Sequence, residues 1–360
     1  MKTAADIAAA RILALGLAGP AVGGPSDVAR HLVCLQGQAL PGALTSIALR
    51  TTDRDPAAVV AALAGGELVR AWTQRGTIHL LSAADLGWIL DLTGERMLRS
   101  SAKRRAELGI DSEMFDRATA IVTDLIHAGG PAARADLVAA LQPLGIGDIP
   151  GREYHLICML SMRQVIVQGP PADSARAELL FVLNADWIGP TRTIARTDAV
   201  AEWMTRYAIG HGPVTVADAA RWTGLPLSDA RAGLAAGQGS GALATAEIEG
   251  ATYFHAADLP DRLADHRAET DEMQLLPGFD ELILGYKDRT PTLAAADEQL
   301  VVPGGNGIFK ATVVHRGRAV GTWVRSPRGT GPRALITPFP GRRINQRTAE
   351  RATRRHPAFV

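Results

Sequence analysis

Cysteine, aromatic residues and long apolar runs are all scarce in this 360-residue chain, and each scarcity excludes something. Two cysteines, Cys34 and Cys158, cannot build a disulfide framework or a cysteine-rich zinc site. Both lie among apolar neighbours, the setting of buried free thiols, so a reducing, cytoplasmic compartment is expected. No apolar run reaches the eighteen or so residues of a membrane span. Met1–Leu17 interrupts its apolar stretch with Asp6 and Arg11, which suits an amphipathic helix better than a signal peptide. The chain has no His-Glu-x-x-His, no Cys-x-x-Cys and no EF-hand loop, and no two of its nine histidines stand four residues apart. His31 with Cys34, and His155 with Cys158, stand three apart on expected helices; with no further ligands nearby in sequence, ordinary packing is the better reading of both. The glycine run Pro303–Gly307 lacks the Lys-Ser/Thr of a phosphate-binding loop and reads as a turn between strands. No Gly-x-Ser-x-Gly elbow anchors a hydrolase triad. Neither a metal nor a cofactor is expected.

What is present is an ordinary globular composition, 47% hydrophobic and 21% charged, in a length that suits two or three domains. The net charge of +1 hides an asymmetry. Residues 1–284 carry 24 Lys+Arg against 33 Asp+Glu, a balance of −9, whereas residues 285–360 carry 14 against 4, a balance of +10. A basic end on an acidic body points to a polyanion, with nucleic acid first, or else to a solvated tail with no partner.

One architectural unit recurs. In its middle copy Ser112–His127 places Phe115, Ala118, Ile121, Val122, Leu125 and Ile126 at helical spacing and stops at Gly129-Gly130-Pro131. Helices over Arg134–Leu141 and Tyr154–Arg163 follow, then strands Val165–Gln168 and Glu178–Leu183 joined by the turn Gly169–Arg176. Three helices and a hairpin is the order of a winged helix. A further copy has helix Thr197–Ile209, a Thr215-capped helix Val216–Trp222, helix Leu227–Ala236, and the hairpin Ala242–Glu249 with Ala251–His255. The first copy is less regular: helix Thr3–Leu15, helix Ser26–Leu35 capped by Ser26, a helix from about Pro41 to Arg50, helix Asp55–Ala64, and the hairpin Leu68–Gln74 with Thr77–Leu81. Beyond Tyr286 the runs Val301–Val302, Ile308–His315, Ala319–Arg325 and Ala334–Pro338 read as strands, and Asn345–Arg355 as a basic helix. The expected fold is α+β: winged-helix units over residues 1–110, 111–192 and 193–270, then a basic β-rich module over 271–360.

Between the second and third helices of the first unit the chain reads Cys34-Leu35-Gln36-Gly37-Gln38-Ala39-Leu40-Pro41. In an extended segment positions i and i+2 share a side, so Gln36 and Gln38 point the same way. Gly37 lets the backbone approach a ligand. Two amides on one face suffice to position a water beside a sugar or base, but from the residues alone a pair of helix-capping or surface amides in a turn is the better reading.

That segment, with Val28–Thr51 around it, resembles the AlkZ/YcaQ family of bacterial DNA glycosylases. The resemblance continues through Val69–Leu80, Leu276-Pro277-Gly278-Phe279-Asp280-Glu281 and Gly307–Trp323, and so spans nearly the whole chain. It implies three tandem winged helices and a small β domain, C-shaped around a DNA cleft. The family signature is Gln-x-Gln in the AlkZ-like branch and Gln-x-Asp in the other, so the resemblance assigns catalysis to Gln36 and Gln38; Gly37 departs from the usual aliphatic middle residue. It further implies excision of bulky N7-alkylguanine adducts and interstrand crosslinks from double-stranded DNA, as self-resistance to a genotoxic natural product. None of Lys2, Lys103, Lys287 and Lys310 lies in the Gln motif, so a monofunctional enzyme that leaves an abasic site is expected. A cytoplasmic, nucleoid-associated monomer is the expected state, with no membrane partner.

The expected DNA contacts are Lys310, His315, Arg316 and Arg318 on the hairpin Ile308–Trp323, whose tip is read as a probe entering a groove, and Arg342, Arg343 and Arg347 beyond it. The alternative is a non-catalytic winged-helix regulator. Base-reading helices offer several Arg, Asn or Gln; here Leu227–Ala236 offers Arg231 and Tyr154–Arg163 offers Arg163 as basic side chains, which counts against it.

Overall fold

The structure is a computed structural model that describes every residue except 173–177, 190, 306, 327–332 and 360. By packing, the chain divides into two compact units, Met1–Val59 with Val200–Val360, and Val60–Ala199.

The second unit shows how sequence dictates structure most directly. Helix Ser112–Gly129 opens with the Asp111 carboxylate accepting the Met114 N–H and closes at Gly130, whose φ of 80° suits a residue without Cβ. Helices Arg134–Leu141 and Arg152–Met162 follow, and strands Ile166–Pro171 and Leu179–Leu183 complete the order. Part of the turn expected between these strands lies outside the described residues. Strand Leu68–Trp72 pairs antiparallel with Ile78–Ser82 and meets Gln168 through Arg70. The first hairpin therefore shares a sheet with the middle block rather than closing on its own. Leu137, Leu156, Leu160, Phe181 and Trp72 are buried together on one side of this sheet. Each such side chain contributes about 1.5–3 kcal/mol by leaving water.

The first unit joins distant parts of the chain. Helix Ala4–Ala14 starts with a Thr3–Asp6 capping box and packs its alanine face on helix Leu259–Thr270. Helices Arg196–His211, Val216–Thr223 and Leu227–Gly239 precede the hairpin Leu243–Ile248 with Ala251–Ala256; Thr215 caps the middle helix. The C-terminal sheet has the strand order Ala334–Pro338, Arg318–Arg325, Thr312–His315, Gln274–Leu276. Helix Gln346–Arg354 follows, capped by Asn345.

Three expectations need correction. The helix expected over Ser26–Leu35 runs from Pro25 to Leu32; Gly24 is its N-cap, held by Asp27, and Val33 ends it with φ 67° and ψ −56°. Cys34 therefore starts a strand and does not share a helix face with His31. Val301 ends the short helix Glu298–Val301, where the Val302 N–H donates to the Glu298 carbonyl at 2.8 Å, and is not in a strand. The strand expected from Ile308 starts at Thr312, because the Lys310 N–H is spent on the Val301 carbonyl (3.0 Å).

Candidate active site

The site begins with the break at Val33. A β-branched residue at φ 67°, ψ −56° occupies the strained geometry of a rare γ-turn, and it is fully buried. The turn redirects the chain from helix Pro25–Leu32 into the three-residue strand Cys34–Gln36. Gln36 is 6% exposed and Gln38 is exposed, and the Gln36 Nε2 donates to the Gln38 Oε1 at 3.2 Å. The structure thus brings the two amides together, one inside and one at the surface. Helix Leu40–Ala48 starts two residues later.

Two adjacent carboxylates hold this segment from either side. Asp280 accepts from both terminal nitrogens of Arg50 (2.9 and 3.0 Å), from the Ser46 hydroxyl (2.7 Å) and from the Leu282 N–H (3.1 Å). Burial opposes its ionisation, but the Arg50 guanidinium and these donors outweigh it and keep the carboxyl below its ordinary range. Arg50 is saturated in turn: its Nε donates to the Leu15 carbonyl (2.7 Å) and one terminal nitrogen to the Ser46 carbonyl (2.7 Å). Ser46 lies on helix Leu40–Ala48, so Asp280 fixes the helix after Gln38. Glu281, 1% exposed, fixes the strand before it: its Oε1 accepts the Gln36 N–H at 3.3 Å. Its Oε2 accepts the Trp222 indole N–H at 2.9 Å and lies 3.4 Å from His211 Nε2.

A further buried carboxylate braces the same region. Asp218 accepts the Lys287 and Asp288 N–H groups (2.8 and 3.1 Å), and lies 3.8 Å from Arg11. Arg11 stacks 3.6 Å over the Tyr286 ring and donates to the Pro213 carbonyl at 3.2 Å. The segment Asp280–Asp288 is therefore gripped by Arg50, by Asp218 of helix Val216–Thr223 and by Arg11 of helix Ala4–Ala14.

Of the expected DNA contacts, Lys310, Arg342, Arg343 and Arg347 are exposed. Among the described residues none of these four side chains has an ion-pair partner, which leaves them open to an anion. The hairpin tip is different. Arg316 and Gly317, at φ 54° and 71°, make the tight turn, but Gly317 is buried: a Cβ there would stand 2.8 Å from the Ala8 carbonyl carbon. The turn is seated on helix Ala4–Ala14 through Gly317. Arg316 is exposed; Arg318 and His315 are half-buried. Burial and the neighbouring Arg316 push the His315 pKa down against a weaker pull from Asp271.

Sequence reasoning gave no role to Arg50, His211, Trp222, Asp280 and Glu281. A signal was available for the acids: two adjacent carboxylates open the apolar run Leu282-Ile283-Leu284, where charge is costly unless paired.

The family model described as DNA glycosylase AlkZ-like matches residues 29–359. A protein of Streptomyces sahachiroi named interstrand DNA cross-link repair glycosylase is 27% identical over 330 residues, 88% of this chain and 85% of its own. The solved structure of Streptomyces sahachiroi DNA glycosylase AlkZ superposes with a TM-score of 0.79 at 25% identity, covering 98% of this chain and 95% of that one.

Proposed function

We propose, from the premise that the chain belongs to the DNA glycosylase AlkZ-like family and is a DNA glycosylase, that it hydrolyses the N-glycosidic bond of bulky N7-alkylguanine in duplex DNA and unhooks interstrand crosslinks. The premise sets aside the non-catalytic regulator. The crosslink substrate is supported by the name of the Streptomyces sahachiroi relative. The single observation that carries the mechanism is the hydrogen-bonded amide pair, Gln36 buried and Gln38 exposed, on a segment anchored at both ends.

Alkylation at N7 makes guanine cationic and therefore a good leaving group. Breaking the bond to the sugar builds oxocarbenium character that needs little help from a strong base. A carboxamide oxygen accepts a hydrogen bond from the attacking water without taking its proton in the ground state, so holding that water in line is the main task. Gln38 offers the exposed amide, and Gln36 fixes the Gln38 oxygen by its own N–H. With no lysine in the motif, the product is an intact strand with an abasic site.

The helix-helix-helix-hairpin runs are read as winged-helix units within residues 1–110, 111–192 and 193–270, with 271–360 as the basic module. Lys310, Arg316, Arg318, Arg342, Arg343 and Arg347 are assigned to the DNA backbone, and His315 to the space beside them. Self-resistance to a genotoxic natural product, acting as a cytoplasmic monomer, completes the reading.

The test is abasic-site release from duplexes carrying N7-alkylguanine. Gln38→Ala and Gln36→Ala should each lower single-turnover excision by about 10²-fold, the size of losing a positioned polar group, with duplex affinity unchanged. Wild-type rates in both variants would sink the assignment.

A further inference from the structure

We propose that Glu281 is a positioning residue for base excision: its carboxylate ties the backbone of Gln36 to Trp222 and His211 and so sets where the two amides stand. The proposal rests on the catalytic reading of Gln36 and Gln38 above.

The neighbouring acids make the case by contrast. Asp280 and Glu281 are both fully buried, at 2% and 1% exposure. Asp280 has a bidentate arginine. Glu281 has no Arg or Lys within ion-pair distance among the described residues; its partners are a peptide N–H, an indole N–H and an imidazole. A buried carboxylate without a guanidinium is a poor device for stability alone. It is a good device for geometry, because its two oxygens accept from the Gln36 peptide N–H (3.3 Å) and the Trp222 indole N–H (2.9 Å) at once and so tie two separate elements to one side chain.

What it holds needs holding. Val33, three residues before Gln36, is a buried β-branched residue at positive φ, a conformation that costs about 1–3 kcal/mol and persists only where the surroundings enforce it. Removing the Glu281 acceptor lets that turn relax and carries Gln36 with it.

The partners of Glu281 are themselves immobile. Trp222 and His211 are buried and stack in one aromatic group with Tyr207, with ring centroids 4.9 and 4.6 Å from that tyrosine. Tyr286 donates to the His211 carbonyl at 2.8 Å. A Cβ on Gly285 would stand 2.9 Å from the His211 ring, and one on Gly210 2.5 Å from the His31 carbonyl oxygen, so helix Arg196–His211 is pressed against both the carboxylate segment and the end of helix Pro25–Leu32. Among the described residues His211 Nδ1 has no hydrogen-bond partner, which leaves Glu281 as the polar contact that orients the ring.

The test uses the full-length protein and three readouts: single-turnover excision of N7-methylguanine from a duplex, Kd for the undamaged duplex, and hydrogen exchange of the peptide covering residues 34–39. Glu281→Ala should raise exchange in that peptide and lower excision by about 10²-fold, the effect of roughly 1 Å of misplacement, while Kd holds. Glu281→Gln keeps one oxygen acceptor and should recover most of the rate. A residue with only a structural role would lower Tm and duplex binding together with the rate, and that pattern overturns the proposal. So does wild-type excision in both variants, or wild-type exchange at 34–39. If Glu281→Ala does not fold, Trp222→Phe, which takes one donor from the same carboxylate, must show the same pattern at smaller size. A wild-type protein that excises neither N7-methylguanine nor an N7-alkylguanine crosslink defeats the Gln reading and the catalytic half of this one with it; exchange at 34–39 then still decides whether the tether exists.

Discussion

The interiors of the two units are built on different principles. In Val60–Ala199 the core is mainly Leu, Ile, Val and aromatic side chains, with Asp85 as the one fully buried acid among the described residues, held by the Trp88 indole at 2.9 Å and by Arg192 at 3.6 Å. In Met1–Val59 with Val200–Val360, Arg11, Arg50, Asp218, Asp280 and Glu281 are all buried. Taking such charges out of water costs several kcal/mol each, and a well-packed apolar core of the same volume would be at least as stable. The charges gather where the chain must be placed rather than merely packed, on both sides of Gln36 and Gln38. One unit uses its interior for stability; the other uses part of it for position.

The contrast breaks most visibly by truncation. Arg50→Ala leaves the Asp280 carboxylate buried and uncompensated, so about 3–5 kcal/mol of stability should be lost. Leu156→Ala in the apolar unit should cost about 2–5 kcal/mol through cavity formation. The stabilities overlap, but the consequences should not. Urea titration at neutral pH gives the two losses; excision measured at a temperature where both variants are folded should fall sharply only for Arg50→Ala. Equal retention of activity would mean that the buried charges are ordinary core.

The exteriors sharpen the comparison. Arg342, Arg343 and Arg347 of the first unit and Arg96, Arg99 and Lys103 of the second are all exposed. Reversing the first three charges should weaken binding to any duplex and reduce the slope of log K against log salt by about 2–3, near 0.9 for each phosphate that is no longer neutralised. Reversal of the second three should change the slope less. Equal losses would show that both units grip the backbone.

What could be read from the sequence divides along the same line. The helices of Ser112–Met162 were legible because their apolar residues recur at the helical period and Gly129-Gly130-Pro131 punctuates them. The Gln pair was legible as chemistry, through its spacing and family resemblance. The strand that carries it was not, because Val28–Leu35 continues a helical apolar pattern and nothing local announces that Val33 takes a positive φ. That conformation is imposed by tertiary contacts. Arg50 and Asp280 lie 230 positions apart, and no window joins them. Arg11 was visible as a charge inside an apolar stretch, and its meaning appears only with Asp218 and Tyr286 beside it. The hairpin turn at Arg316-Gly317 was readable, whereas its seat on Ala8 was not.

The smallest expected effect concerns a buried histidine in the first unit. His356 is 2% exposed and packs its ring edge-on against Trp323, 5.1 Å between centroids. Burial is the main cause that takes its pKa down from 6.5 to about 4; a hydrogen bond to the Leu275 backbone pulls the other way, and Arg325 and Arg54 add to the fall. The folded state thus binds the proton less readily than the unfolded chain. His356 therefore contributes stability that is fully present above pH 6.5 and lost as pH falls from there toward 4. Asp280, also held below its ordinary range, loses its contribution at lower pH still, so the two are separable. Urea midpoints taken between pH 7 and 5 should fall in the wild type and fall less in His356→Phe, which keeps an aromatic ring against Trp323 and removes the titrating group. Excision at pH 7 should be the same in both, because His356 touches neither Gln nor their carboxylate anchors. A pH dependence that is identical in the two proteins would assign the loss elsewhere, and a drop in excision would extend the positional part of the interior to the end of the chain.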